Sequence, residues 1–260
     1  MLQQSSFSNM DTIIYAAVTI IWWAVSVSFL LPLVTVLKFS KKCRDMWFSW
    51  FFVRIVEVIL GSALLKIRKC TFDFLKEHLP ERKKNTNFEI LEIGFGGGSN
   101  LQFYPENTNL SILDMNESFL KYFEQSRQKN AHINYKKVVI GMAEDMHELD
   151  DESFDIVVST FVLCSVKNVR AALKEVKRVL KPGGKYLFLE HLIYPKGTWN
   201  ALIQRLANPV WTIYFDGCNI NRNQDEEIRR AGFSDVVTKM HYSKDMWLYV
   251  RPMIIGIATK

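Results

Sequence analysis

Glu92, Gly94, Gly96 and Gly98 form the pattern Glu-x-Gly-x-Gly-x-Gly, and Asp114 stands twenty positions past the first of these glycines. An apolar run, Phe88 to Ile93, leads into the pattern. Glycines at this spacing let the backbone turn sharply and approach a ligand closely. An acidic residue at the end of the next apolar run can accept hydrogen bonds from two ribose hydroxyls. A dinucleotide fingerprint would need glycine or alanine at position 99, where the chain has Ser99. A carboxylate at Glu92 would repel a pyrophosphate and suits a ligand carrying an ammonium and a sulfonium. The residues therefore favour an adenosyl cofactor other than a dinucleotide.

A second group of side chains could act on a substrate. His191 follows Glu190 at the end of an apolar run, where parallel sheets present their ligands. It is a candidate base, with loop orientation as the alternative. Asp216 and Asn219 flank Gly217 and could bind a substrate head group or simply form the turn. Cys164 is expected to pack or to line the site, as buried free thiols do. Phe161, Trp199, Trp211, Tyr214 and Phe215 could line an apolar pocket. The four cysteines form no C-x-x-C pair and no Cys/His cluster with zinc-site spacing, so no metal site is expected.

These residues need a scaffold. Phe88–Ile93, Asn109–Leu113, Tyr135–Ile140, Phe154–Ser159 and Lys185–Glu190 read as strands, and Met253–Thr259 as a closing strand. Helices are expected over Glu117–Gln128 and Val169–Leu180, the second broken by Lys181-Pro182-Gly183-Gly184. Alternation of this kind implies a mostly parallel sheet flanked by helices, an α/β fold. Asp225-Glu226-Glu227 with Arg229 and Arg230 reads as a solvated helix face before a turn at Gly232.

Upstream, Thr12 to Leu37 contains no charged residue, enough for a membrane helix. Pro32 interrupts it, so a tilted span and a hairpin-like insertion are both open. Lys38, Lys41, Lys42 and Arg44 follow, which favours a cytosolic C-terminal domain and contact with lipid headgroups. The net charge of +6 is otherwise scattered, and no nucleic-acid partner is expected. Met46 to Leu65 reads as an amphipathic interfacial helix, with Arg54 and Glu57 on one face and able to pair. The alternative is a helix that covers the catalytic core. Residues 1–45 are thus expected to anchor, 46–87 to form the interfacial helix and linker, and 88–260 to form the catalytic domain.

The glycine loop, Asp114, Gly141-Met142-Ala143-Glu144-Asp145-Met146 and Leu180-Lys181-Pro182-Gly183-Gly184 together resemble class I methyltransferases that use S-adenosylmethionine. Within that class the chain is similar to the methyltransferase-like seven group of membrane-anchored alkyl thiol methyltransferases. The segments that narrow the match are Val162-Leu163-Cys164-Ser165-Val166-Lys167-Asn168, Glu190-His191, Phe215-Asp216-Gly217-Cys218-Asn219 and Val250-Arg251-Pro252. The resemblance implies a Rossmann-like, seven-stranded fold and methyl transfer to a small lipophilic thiol. The alternatives are a methyltransferase acting on a lipid, quinone or arsenical, and a non-enzymatic membrane protein of lipid droplets. The resemblance also implies membrane lipid as a partner, at the endoplasmic reticulum and lipid droplets. Glu92, Gly94, Gly96, Gly98, Asp114, Ala143 and Glu144 are the expected cofactor residues, and His191 and Asp216, taken from their residue types and position, are the catalytic candidates. Relatives outside the group often carry an acidic residue before the Ala-Glu pair to hold the adenine amino group; Met142 stands here, so backbone near Ala143 or the Glu144 side chain must serve.

Overall fold

A computed structural model of the protein describes residues 9–79, 87–106 and 108–260. The first helix, α1 (Asn9–Ser28), ends before Pro32, and α2 (Leu31–Phe39) begins with that proline in its first turn. Proline suits this position because the amide it lacks would have no helical partner there. The charge-free run is therefore two helices. Ser40 caps α3 (Lys41–Phe51) by accepting from the Cys43 amide. A π-helical turn, Phe52–Val56, joins α3 to the long α4 (Glu57–His78).

The catalytic layers follow. In chain order they are β1 (Phe88–Ile93), β2 (Thr108–Asp114), α5 (Leu120–Lys129), β3 (Asn134–Ile140), β4 (Phe154–Thr160), α6 (Val169–Val179), β5 (Leu180–His191), α7 (Trp199–Tyr214), α8 (Gln224–Arg230), β6 (Asp235–Tyr242) and β7 (Pro252–Thr259). The seven strands stand in the order β3-β2-β1-β4-β5-β7-β6. Strands β1 to β5 pair in parallel, and β7 runs antiparallel to both β5 and β6. The order reverses between β1 and β4, and a ligand crevice opens at the carboxyl ends of strands flanking such a reversal. The strands of the sheet centre are apolar on both faces because helices cover both: Ile90, Ile112 and Val158 meet Phe72 and Phe123 in one core, while Leu91, Val157 and Phe188 meet Leu173 and Val176 in another.

The strands anticipated from apolar runs are present, with two differences. Strand β5 begins at Leu180, since the Lys181-Pro182-Gly183-Gly184 break is absorbed by a register shift against β4. The edge strand β6 and the helix α7 did not stand out in the sequence. The expected division at Phe88 does not separate the packing either. Phe72 and Leu75 of α4 share a core with Ile90 and Leu110 of the sheet. Residues 80–86, part of the expected linker, lie outside the described residues.

The N-terminal helices are not a free tether. Thr19 Oγ1 and the Tyr249 hydroxyl lie 2.8 Å apart, and Trp23 Nε1 donates to the Leu206 carbonyl at 2.7 Å. Trp22 packs against Trp211, Tyr214 and Tyr249. Both Met10–Ser28 and the continuous segment Lys41–His78 are long and apolar enough to cross a membrane. The inner face of α4 nevertheless covers the sheet with Leu60, Leu64 and Ile67, while Val58, Ile59 and Leu65 face outward and are exposed. The inner face thus matches the reading as a cover for the catalytic core, and the outer face is apolar and exposed. Arg54 and Glu57 do not pair, because the π turn changes their phase: Arg54 lies over the Tyr122 ring, and Glu57 faces Arg68 and Ser99.

Candidate active site

Strand β1 delivers the chain to a turn in which Gly94, Gly96 and Gly98 all have positive φ. At Gly94 the requirement is double, since φ is +70° and a Cβ would overlap the Val162 side chain. The turn brings backbone to the carboxyl end of the sheet beside Asp114, the last residue of β2. Asp114 Oδ2 accepts from the Gly96 amide at 3.1 Å and Oδ1 from the Asn116 amide at 2.9 Å. Burial pushes the Asp114 carboxyl up to about 6, against the pull of those two amides.

One elongated cavity runs along this edge, and it sorts the expected residues. Gly94, Gly96, Asp114, Ala143, Glu144, His191 and Asp216 line it; Glu92 and Gly98 do not. Glu92 is fully buried, with Oε1 accepting from Asn100 Nδ2 at 2.8 Å and Oε2 from the Tyr104 hydroxyl at 3.1 Å. It braces the glycine loop from behind instead of facing a ligand, and burial raises its carboxyl to about 7. Gly98 serves the turn, its Cβ position lying 2.9 Å from Ser126 Cβ. Glu144 Oε1 accepts from the Lys167 and Asn168 amides at 2.6 and 3.2 Å, so its carboxylate is engaged beneath α6. Both bonds use Oε1 alone, so Glu144 Oε2 and the backbone at Ala143 and Glu144 are the groups that could hold an adenine.

Asp216 is likewise occupied. Arg44 Nε donates to its Oδ1 at 3.0 Å and Asn116 Nδ2 approaches Oδ2 at 3.4 Å, so it ties α3 to the cofactor edge. Asn219 does not line the main cavity, and its amide donates to the Cys164 and Gly217 carbonyls. Of the aromatic residues expected at the pocket, Phe161, Trp211 and Phe215 line it. Tyr214 is buried in the helical core and Trp199 is 72% exposed, both away from the cavity.

At the far end, the loop after β4, the last residue of β5 and the loop after α7 bring Cys164, His191 and Cys218 together, with donor atoms all within 4.8 Å of one another. No spacing in the sequence marks this cluster. Such a set is compact enough for a soft cation, although hydrogen bonding alone accounts for the closeness: His191 Nε2 and Cys218 Sγ are 3.2 Å apart. The bond to Cys218, with burial, pushes the Cys164 thiol far above the ordinary thiol range, so Cys164 stays protonated. Glu190 Oε1 accepts the Val162 and Leu163 amides, each at 2.9 Å, and so fixes the loop after β4. Within that loop Phe161 has φ +59°, a strained conformation for a bulky residue. The strain holds its ring nearly parallel to His191, centroids 6.4 Å apart.

The remaining walls come from the N-terminal helices, which the sequence placed outside the catalytic domain. Phe48, Phe52, Val56, Leu60, Leu64 and Arg68 all line the cavity. Arg68 falls within 46–87, the stretch expected to form the interfacial helix and linker, and nothing in its local sequence marks it as part of a site.

The sheet with its reversed last strand, the glycine turn and the acidic residue ending β2 define a class I methyltransferase fold. The comparisons agree. A methyltransferase domain family matches residues 91–188. The human thiol S-methyltransferase TMT1A is 37% identical over 214 residues, covering 82% of this chain and 86% of that protein. The rat thiol S-methyltransferase TMT1B is 41% identical over 179 residues, 68% of this chain and 73% of the relative. The chain belongs to the thiol S-methyltransferase family. Solved structures share the fold: a methyltransferase of Haloferax volcanii seen with the activator Trm112 (TM-score 0.58, 14% identity, 82% of this chain and 96% of that one) and an S-adenosylmethionine-dependent methyltransferase of Thermotoga maritima (0.53, 20%, 81% and 99%).

Proposed function

We propose that this protein transfers the methyl group of S-adenosylmethionine to the sulfur of small lipophilic thiols. The observation that carries this reading is the make-up of the cavity. Its cofactor edge, with Gly94, Gly96, Asp114 and Ala143, is continuous with a chamber walled by Phe52, Val56, Leu60, Trp211 and Phe215 and closed by Cys164, His191 and Cys218. The printed function of the curated relatives supports sulfur as the acceptor atom.

The residues fit the cofactor. A buried carboxylate lines the cavity where ribose hydroxyls would need an acceptor, and the glycine turn leaves room for close approach. S-adenosylmethionine, when bound, supplies an electrophilic methyl carbon on a sulfonium sulfur. Asp114 would accept from the ribose hydroxyls, and backbone at Ala143 and Glu144 would meet the adenine. The apolar walls hold the acceptor in line and keep water out, which converts an encounter into an oriented attack. They also favour the reaction electrostatically: charge is lost as a thiolate meets a sulfonium, and a low-polarity surrounding penalises the charged start more than the neutralised product. Proton acceptance from the incoming thiol falls to the His191 imidazole, whose Nε2 is engaged by Cys218 Sγ and whose buried Nδ1 has no hydrogen-bond partner.

The same reading places the protein at the endoplasmic reticulum membrane and lipid droplets, with the catalytic domain towards the cytosol. Support comes from the two apolar helical segments, the outward Val58 and Ile59, and the basic cluster from Lys38 to Arg44. A series of straight-chain thiols tests the acceptor class. Each methylene buried contributes about 0.8 kcal/mol, so kcat/KM should rise about fourfold per carbon until the chamber is full. Asp114→Ala should abolish turnover throughout the series. A flat series would overturn the lipophilic acceptor, and normal turnover by Asp114→Ala would overturn the cofactor site.

A further inference from the structure

We infer that Arg68, on the helix preceding the catalytic sheet, binds the carboxylate at the amino-acid end of the cofactor, with Glu57 beside it receiving the ammonium. The inference rests on S-adenosylmethionine being the cofactor and adds a subsite that the glycine-loop and ribose positions do not provide.

Arg68 is 7% exposed and lines the cavity, as do Gly97, Ser99 and Asn100, while Glu57 stands just behind that lining, against Arg68 and Ser99. A guanidinium carries five N–H donors in a planar fork, and burying it unpaired is costly. Its Nε has no hydrogen-bond partner, and its ion partner, Glu57 Oε1, lies 3.9 Å from Nη2, beyond hydrogen-bond length. The other nearby acid offers nothing, because both oxygens of Glu92 are taken by Asn100 and Tyr104. The fork is thus held over the glycine loop with donors to spare. A carboxylate is the planar acceptor that fits it in a bidentate pair.

Glu57 completes the match. The Ser99 hydroxyl donates to Glu57 Oε1, which fixes that carboxylate against the loop, and the Gly97 Cβ position would lie 3.8 Å from Oε2. Arg68 and Glu57 are opposite charges too far apart to satisfy one another by hydrogen bonding and close enough to share one small zwitterion. An amino acid's carboxylate and ammonium stand on a single carbon, which is that geometry. The π turn matters here, since it sets the phase that turns Glu57 inward at the start of α4 while Val58 and Ile59 face outward. One helix therefore finishes the cofactor site on one side and presents an apolar surface on the other.

The test compares three ligands by titration calorimetry on the full chain in detergent: S-adenosylhomocysteine, its decarboxylated analogue, and 5′-methylthioadenosine, which lacks the whole amino-acid end. Wild type should bind S-adenosylhomocysteine at least about tenfold more tightly than the decarboxylated analogue. Arg68→Met should lose that preference and keep its affinity for methylthioadenosine within about threefold, and Arg68→Lys should recover part of it. Glu57→Gln should weaken S-adenosylhomocysteine and the decarboxylated analogue, which keep the ammonium, and spare methylthioadenosine. Equal wild-type affinity for the first two ligands would overturn the inference without any variant. So would a loss in Arg68→Met that is the same for all three ligands, which would mark a purely structural arginine. Failure of the wild type to bind any adenosyl ligand would instead overturn the cofactor assignment itself.

Discussion

A thiol is a weak nucleophile until it loses its proton; even cysteine, with a pKa near 8.5, is only a few per cent thiolate at neutral pH, and a simple alkyl thiol is less ionised still. The proposed role of His191 addresses that shortfall. Its imidazole lies among Cys164, Cys218 and Phe161 and lines the same cavity as Asp114. Replacing His191 by Gln should lower kcat/KM for an alkyl thiol about 100-fold at pH 7. The deficit should shrink as pH rises past the thiol's own pKa, where the acceptor ionises unaided. A pH-rate comparison of the two proteins checks this; an equal deficit at pH 7 and pH 10 would assign His191 to loop orientation. Asp216 reads differently at this scale. Paired with Arg44 and Asn116, it ties α3 to the cofactor edge while lining the cavity. The sequence showed that a carboxylate stands at position 216, but not that an arginine far upstream would be its partner.

Among the elements, β1 and its loop are the best determined by local sequence. The apolar run, the glycines and the acid at the end of β2 each leave a local signature, and β1 spans the residues expected of it. Glu92 belongs to this element as a brace, and burial sets its protonation. Its carboxyl is held up to about 7, against 4.5 for a glutamate exposed to solvent. A raised acid favours the folded state in its protonated form. That contribution, on the order of 3 kcal/mol, is full below about pH 4.5 and is lost as pH rises to about 7. Melting in detergent should therefore show wild type losing stability between about pH 4.5 and about pH 7, and Glu92→Gln losing several degrees less. Parallel slopes would mean that Glu92 is not the group titrating. Two elements left weaker signatures. Strand β6 is an edge with polar, largely uncovered residues, so it lacks an apolar run. Helix α7 is apolar around much of its girth and contains Pro209, which blurs both periodicity and boundary.

At the scale of the whole molecule, the sequence suggested an anchor, a linker and a catalytic domain in series, and the packing merges them. Local patterns report which residues are apolar, not which other part of the chain will cover them. Hence Trp22 reads as part of a membrane run although Trp211 and Tyr249 receive it, and Arg68 reads as linker although it faces the glycine loop. Outside this packing, Ile13, Ile20 and Ile21 of α1, Trp199, Leu202 and Leu206 of α7, and Val58 and Ile59 of α4 stay exposed, more apolar surface than a soluble monomer usually shows. Deleting residues 1–37 should leave a protein that still partitions onto anionic vesicles through α4 and α7. It should also melt lower than the full chain, because Tyr249 and Trp211 lose their cover. Full solubility of the truncated chain in flotation assays would show that the first two helices alone hold the membrane.

The acceptor atom remains the point on which cavity, cofactor edge and kinship converge. The direct measurement is transfer of labelled methyl from S-adenosylmethionine to a short alkyl thiol, run beside the alcohol and the amine of the same chain. Labelling of the thiol alone, lost in Asp114→Ala, is the expected outcome. Labelling of the alcohol or amine at a comparable rate, or of none of the three while S-adenosylhomocysteine still binds, would show that the chamber was built for a different acceptor.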